Sequence, residues 1–151
     1  MRIVAAALLL SLSATLALSE QLVTLESKFG VKETLDRLTV ELDKRGIKVA
    51  ARIDHAAGAK AVGMELPPTE VLMFGNPKLG TPLMQSAPAV GIELPMKVLA
   101  WQDRHGKVWI GYTAPDALKA RHGIADRDEV FKTMAVALDG LARSASGQSS
   151  P

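Results

Sequence analysis

Apolar and polar positions alternate with period two over residues 21–27, where Val23 and Leu25 stand against Thr24 and Glu26, and this predicts a first short strand. From Val31 the period becomes helical. Val31, Leu35, Leu38 and Leu42 recur along one stripe, with Glu33 and Arg37, and Glu41 and Arg45, spaced to pair on the wet side. Gly30 occupies an N-cap position with Glu33 placed to reach back to it, and Gly46 stands where a left-handed C-cap belongs. Period two returns at Ile47, Val49, Ala51 and Ile53, a second strand with one buried face. The small residues 56–61 close a short helical turn. Residues 70–74 form a third strand, apolar on both faces, which needs cover on both sides.

Asn76-Pro77 and Thr81-Pro82 each join a good N-cap to a proline at the first helical position, so 77–87 reads as one or two short helical turns ended by Ala87-Pro88. Gly75, before this start, is expected to take a backbone angle closed to β-branched residues. Residues 96–103 and 107–113 are strands joined by Arg104-His105-Gly106, in which Gly106 supplies the positive φ of a three-residue loop. Pairing Asp103 with Lys107 sets Trp101 opposite Trp109 and Leu99 opposite Gly111. The other face then carries Met96, Val98, Ala100, Val108, Ile110 and Tyr112, a sufficient core surface under helices. The tryptophan face is surplus to that core. It needs cover from residues 77–90, from a partner subunit or from a ligand. Pro115 opens a short helix toward Gly123. Asp126 and Glu129 form a capping box for a last helix with Val130, Met134, Leu138 and Leu141 on one side. From Ser144 to Pro151 the Ser/Gly/Gln/Pro tail has nothing to bury and is expected to be disordered. The sum is an α+β two-layer sandwich, with amphipathic helices on one face of a mainly antiparallel sheet and one domain over 20–143.

Composition narrows the context. Positions 1–19 have a basic start at Arg2, an apolar run from Ile3 to Leu18 and a small-residue signal at Ala17-Leu18-Ser19, which is the anatomy of a secretory signal peptide. The expected mature protein is therefore periplasmic or secreted, with no membrane attachment after cleavage. Without Arg2 the 18 Lys and Arg fall to 17 against 16 Asp and Glu, a net +1 that offers no electrostatic reason to bind nucleic acid. The absence of Cys excludes disulfides, thiolate catalysis and sulfur-ligated zinc, leaving packing alone to hold the domain.

With those residues placed, the chain resembles the domain of unknown function 302 family. The resemblance rests on Ile53-Asp54-His55, Ala59, Gly63, Leu66-Pro67-Pro68-Thr69, Phe74-Gly75-Asn76-Pro77, Gly80-Thr81-Pro82-Leu83-Met84, Leu94-Pro95 and Trp109, and covers essentially all of the expected mature chain. It implies a β-α-β(4)-α sandwich of TATA-binding-protein-like fold, a homodimer, and no established activity or cofactor. Thr113-Ala114-Pro115 departs from the Asn-acidic-Pro turn that the resemblance implies, so the resemblance carries no polar role over to that turn.

Candidate chemistry is sparse. Asp54 and His55 form an acid–imidazole pair at a strand end, suited to general-base or metal-ligand work at the rim of the sheet. The alternative is structural: Asp54 caps the 56–61 turn and His55 bonds the backbone of the Pro67-Pro68 loop. Gly75-Asn76-Pro77-Lys78 could bind an anion at a helix start, or Asn76 could simply cap a tight turn. Met64, Met73, Met84 and Met96 have thioethers that suit Cu(I), but their spacing is no binding motif and core filling accounts for them. His105 and His122 read as solvated. The candidate ligand-binding set is Asp54, His55, Phe74, Asn76, Lys78, Trp101 and Trp109, with no metal ligands and no catalytic residue assigned. The expected function is a non-catalytic binding or interaction module, a homodimer with a small ligand or protein as partner. The other reading is a metal-dependent or hydrolase-like enzyme centred on His55.

Overall fold

The stripe of Val31, Leu35, Leu38 and Leu42 builds helix α1 (Val31–Lys44), with all four side chains buried. This is a computed structural model that describes residues 21–149, so the expected leader at 1–19 lies outside the described residues. Around α1 run β1 (Leu22–Ser27), β2 (Lys48–Asp54), α2 (His55–Ala61), β3 (Thr69–Gly75), α3 (Pro77–Ser86) and a 3-10 turn (Pro88–Glu93). Then follow β4 (Met96–Gln102), β5 (Val108–Thr113), α4 (Pro115–His122) and α5 (Asp128–Ser146). The strands form one antiparallel sheet in the order β1-β5-β4-β3-β2, so the first two strands lie at opposite edges and α1 crosses between them. The architecture is the expected α+β sandwich.

The core fills one face of that sheet. Leu72, Phe74, Val98, Ala100, Ile110 and Tyr112 point to the helices and meet Leu35, Leu38 and Leu42 of α1 and Phe131, Met134, Leu138 and Leu141 of α5. The β4–β5 register is the one that the sequence implies: Trp101 pairs with Trp109 and Leu99 with Gly111. Gly106 turns the hairpin at φ +80°, and Gly46, at +65°, follows α1.

Several local expectations give way to tertiary contacts. Gly30 offers no side chain to cap α1, and Glu33 makes no box there. Instead the buried Thr34 hydroxyl donates to the Gly30 carbonyl at 2.9 Å and lies 2.7 Å from the Ser27 hydroxyl. The pairs on α1 are Lys32–Asp36 and Glu41–Lys44. Arg37 leaves Glu33 and donates to the carbonyls of Ala145 (3.2 Å) and Ser144 (3.2 Å), while its guanidinium lies 4.1 Å from the centre of the Phe29 ring. Both carbonyls lie in the last turn of α5, whose partly negative end draws a cation across to them.

The tail expected from Ser144 is correspondingly ordered at its start. Helix α5 continues to Ser146 with Ala145 and Ser146 buried, Gly147 turns left-handed at φ +75°, and Lys28 N–H donates to the Ser146 carbonyl. No capping box forms at the other end of α5, where Arg127 is the N-cap without a side-chain bond. Asp126 turns instead to the Ser86 hydroxyl, 3.0 Å away.

In β2 the expected buried face is divided by an irregularity between Val49 and Ala51. Val49 keeps company with Phe74, whereas Ala51 and Ile53 pair with Met73 and Val71 on the sheet face away from the helices. Arg52 consequently points under α1, bridging Asp36 (2.6 Å) and Glu70 (2.7 Å). Gly75 also has a different reason from the one expected. Its φ is not positive; a Cβ there would lie 3.3 Å from the Pro95 Cβ, so close approach selects glycine.

Candidate functional site

The helices cover one face of the sheet, and the opposite face can be read directly from the register. At one end lies a row of Glu26, Trp109, Trp101 and Thr69; next come Thr24, Gly111, Leu99, Val71 and Ile53. Leu22, Lys97, Met73 and Ala51 belong to the third row. Alternation along each strand puts these side chains on one side. Ile53 is 45% exposed and Leu22 49%, at opposite edges of that face, while Met73, Leu99, Trp101 and Trp109 are half-buried and Val71 at its centre is buried. The result is an apolar surface with Glu26 and Lys97 as its charged members.

The two tryptophans are held in different ways. A Cβ on Gly111 would lie 3.0 Å from Trp101 Cζ3 and 3.2 Å from Cη2, so the indole rests on the glycine backbone. Trp109 donates its indole N–H to Asp103 Oδ2 at 2.9 Å. The other oxygen of that carboxylate accepts the backbone N–H groups of His105 (2.8 Å) and Lys107 (3.0 Å), which shape the hairpin loop. Bonds from the Trp109 indole and from these two N–H groups hold the Asp103 carboxyl below its ordinary range. Lys107 Nζ lies 6.0 Å from the Trp109 ring centre and 3.0 Å from Glu26 Oε2.

The remaining candidates do not converge. Asp54 Oδ1 accepts the N–H of Ala57 at 2.8 Å, the capping role, and His55 is exposed as the first residue of α2. No bond joins His55 to the Pro67-Pro68 loop. Asp54 pairs with Glu70 and Phe74 with Val49, so the ends of β3 hold the two groups apart by about 14 Å. Phe74 itself is buried on the helix side. Asn76 accepts from the Lys78 N–H at 3.0 Å and caps α3, which runs unbroken through Thr81-Pro82. Asp54 and the tryptophans do share one end of the sheet, through Thr69–Trp101 and Glu70–Ala100. Among the described residues, no three His, Asp or Glu side chains are grouped to hold a metal ion.

Residues 77–90 do not cover the tryptophan face. Leu83 and Val90 join the core, the Pro82 carbonyl accepts from Arg127, and Ser86 bonds Asp126, all within the helical layer. His122 is not solvated either. Its side chain is 11% exposed, and its Nε2 is buried without a hydrogen-bond partner, 3.6 Å from Glu93 Oε1. Burial works to raise the Glu93 carboxyl, but the hydrogen bond and charge of Arg121 hold it below its ordinary range. Sequence reasoning missed the parts played by Asp103 and Gly111. A glycine inside a strand is a signal of close approach, and here it marks the seat of Trp101.

Over 127 residues the chain is 42% identical to proteins named fluoride-specific ion channel FluC 1 in Brucella suis and in Brucella abortus, covering 83% of this chain. It spans about half the length of these relatives, 50% and 47% respectively. Among solved structures, the uncharacterized conserved protein DUF302 of Bacillus stearothermophilus superposes with a TM-score of 0.74 at 22% identity, over 82% of this chain and 97% of that one. That likeness is one of fold. The model of the domain of unknown function DUF302 matches residues 23–141, and the chain belongs to the DUF302 family.

Proposed function

We propose that this domain is a non-catalytic interaction module that self-associates through the open face of its sheet and acts outside the cytoplasm. The observation that carries the reading is the one-sided cover of the sheet. Trp101, Trp109, Leu99, Val71, Met73 and Ile53 share a face on which no helix of the 77–90 segment lies. Contiguous apolar surface of this kind marks contact sites, and tryptophan is enriched at their energetic centres. A second copy is the occupant that fits best, because a face bearing one Glu and one Lys among apolar and Thr side chains is close to neutral and does not repel itself. The relatives add support. In the Brucella proteins a domain like this one makes up about half of a longer chain named as a channel. Among the described residues no helix is long and apolar enough to cross a membrane.

Trp109→Glu tests the surface. A carboxylate on a face desolvated by a partner loses its hydration without compensation, so self-association should weaken at least tenfold, a loss of roughly 1.4 kcal/mol or more. Light scattering over a concentration series would show it, with far-UV circular dichroism confirming that the variant is folded. A wild-type protein that stays monomeric at every concentration, or a variant that associates as well as the wild type, would sink the reading. Location rests on the 1–19 pattern. Expressed with its leader, the exported protein should begin near Glu20 in intact-mass spectrometry; an intact Met1 in that fraction would refute processing.

A further inference from the structure

The interior of the open face carries one further assignment. Trp109 sits between Trp101 on β4 and Glu26 on β1, and a tryptophan side chain has several staggered rotamers to choose from. One carboxylate selects among them. Asp103 Oδ1 is engaged by the loop N–H groups of His105 and Lys107, and its Oδ2 by the indole of Trp109, so both oxygens are used. The geometry of the hairpin loop is thereby transmitted to the rotamer of a side chain six residues along. Lys107 completes the arrangement by reaching over the ring toward Glu26.

We propose that Asp103 is a positioning residue for the contact face, a latch that fixes Trp109 in its binding orientation before a partner arrives. The inference rests on the self-association reading above. A side chain already fixed in its bound rotamer does not lose that freedom on association, and so preorganisation raises affinity without adding a contact. Asp103 itself need not touch the partner.

The charge and the two oxygens of the carboxylate make the latch separable from the loop. In Asp103→Asn a single carbonyl oxygen remains. It can serve the two backbone N–H groups, as asparagine does in many turns, but the NH2 group then faces the indole N–H, donor against donor. The loop survives and the latch opens.

The test uses the whole protein and two readouts. The chain has two tryptophans, so a 1H–15N spectrum shows two indole N–H signals, and that of Trp109 should shift and exchange faster with solvent in Asp103→Asn. Sedimentation should show the dimer dissociation constant raised about three- to tenfold. Trp109→Phe keeps a ring but has no N–H to latch, so adding Asp103→Asn to it should weaken association little further; this non-additivity is the signature of coupling. An unmoved indole signal in Asp103→Asn would overturn the latch. A moved signal with an unchanged dissociation constant would overturn its role in association, while leaving the contact face to be judged by Trp109→Glu. Full additivity of the two changes would overturn the coupling. A wild type that never dimerises would overturn this inference together with the reading beneath it.

Discussion

Gly111→Val should lower the melting temperature by roughly 5–10 °C and change the emission of Trp101. The added Cβ would stand 3.0 Å from the Trp101 ring and 3.2 Å from the backbone carbonyl oxygen of Val23 on the neighbouring strand. The indole can tilt away, but the carbonyl belongs to the paired edge strand β1 and cannot yield without disturbing the β1–β5 ladder. Overpacking against such neighbours costs about 1–3 kcal/mol, and in a domain of this size each kcal/mol is worth roughly 3–5 °C. Gly111→Ala makes the same first contact without the γ-methyl groups, so it should fall between the wild type and the valine variant. Thermal melts followed by tryptophan fluorescence separate the two parts of the effect. A valine variant that melts with the wild type, with unaltered emission, would mean that Trp101 is not seated on Gly111.

Phe131→Ala should be more damaging still. Phe131 is 1% exposed and is among the largest fully buried side chains of the domain, on the helix that closes the core with α1. Removing it costs the transfer of the ring from water and leaves a cavity that the helices can only partly close, together about 3–5 kcal/mol. Against a total stability of about 5–15 kcal/mol for a domain, that is enough to bring unfolding close to working temperature. Lys132→Ala, one residue on and exposed, should stay within about 0.5 kcal/mol of the wild type. Urea titrations of both variants measure the difference. Similar midpoints for the two would contradict the placement of α5 over the sheet.

These two positions also show where the organisation of the molecule comes from. Phe131 stabilises the layer that makes the sheet one-sided, and Gly111 shapes the side left open. The face proposed for self-association is therefore a by-product of core construction. Once β3, β4 and β5 give Leu72, Phe74, Val98, Ala100, Ile110 and Tyr112 to the helices, alternation sends Val71, Met73, Leu99, Trp101 and Trp109 the other way.

Sequence alone determined the features whose cause is local. The stripe of α1 follows from residues three and four apart, the β4–β5 register from a short loop with Gly106 at its left-handed position, and the caps at Asp54 and Asn76 from side chains two or three residues before the N–H groups that they accept. It also put both tryptophans on the face away from the core. Only the tertiary structure decided what lies far apart along the chain. The order β1-β5-β4-β3-β2 makes β2 an edge strand, and its irregularity sends Ile53 to the open face and Arg52 to Asp36 and Glu70. The same order puts Asp54 and Asn76 near opposite ends of the β2–β3 pair, so these two candidate motifs do not share a site. Arg37 abandons its helical neighbour for the carbonyls of Ser144 and Ala145, and His122 is buried beside Glu93. The physical reason is common to all of these. Periodicity states which side chains share a face, but which face meets the helices, and which distant polar group lies there to be satisfied, depends on strand order and packing, to which no local spacing responds.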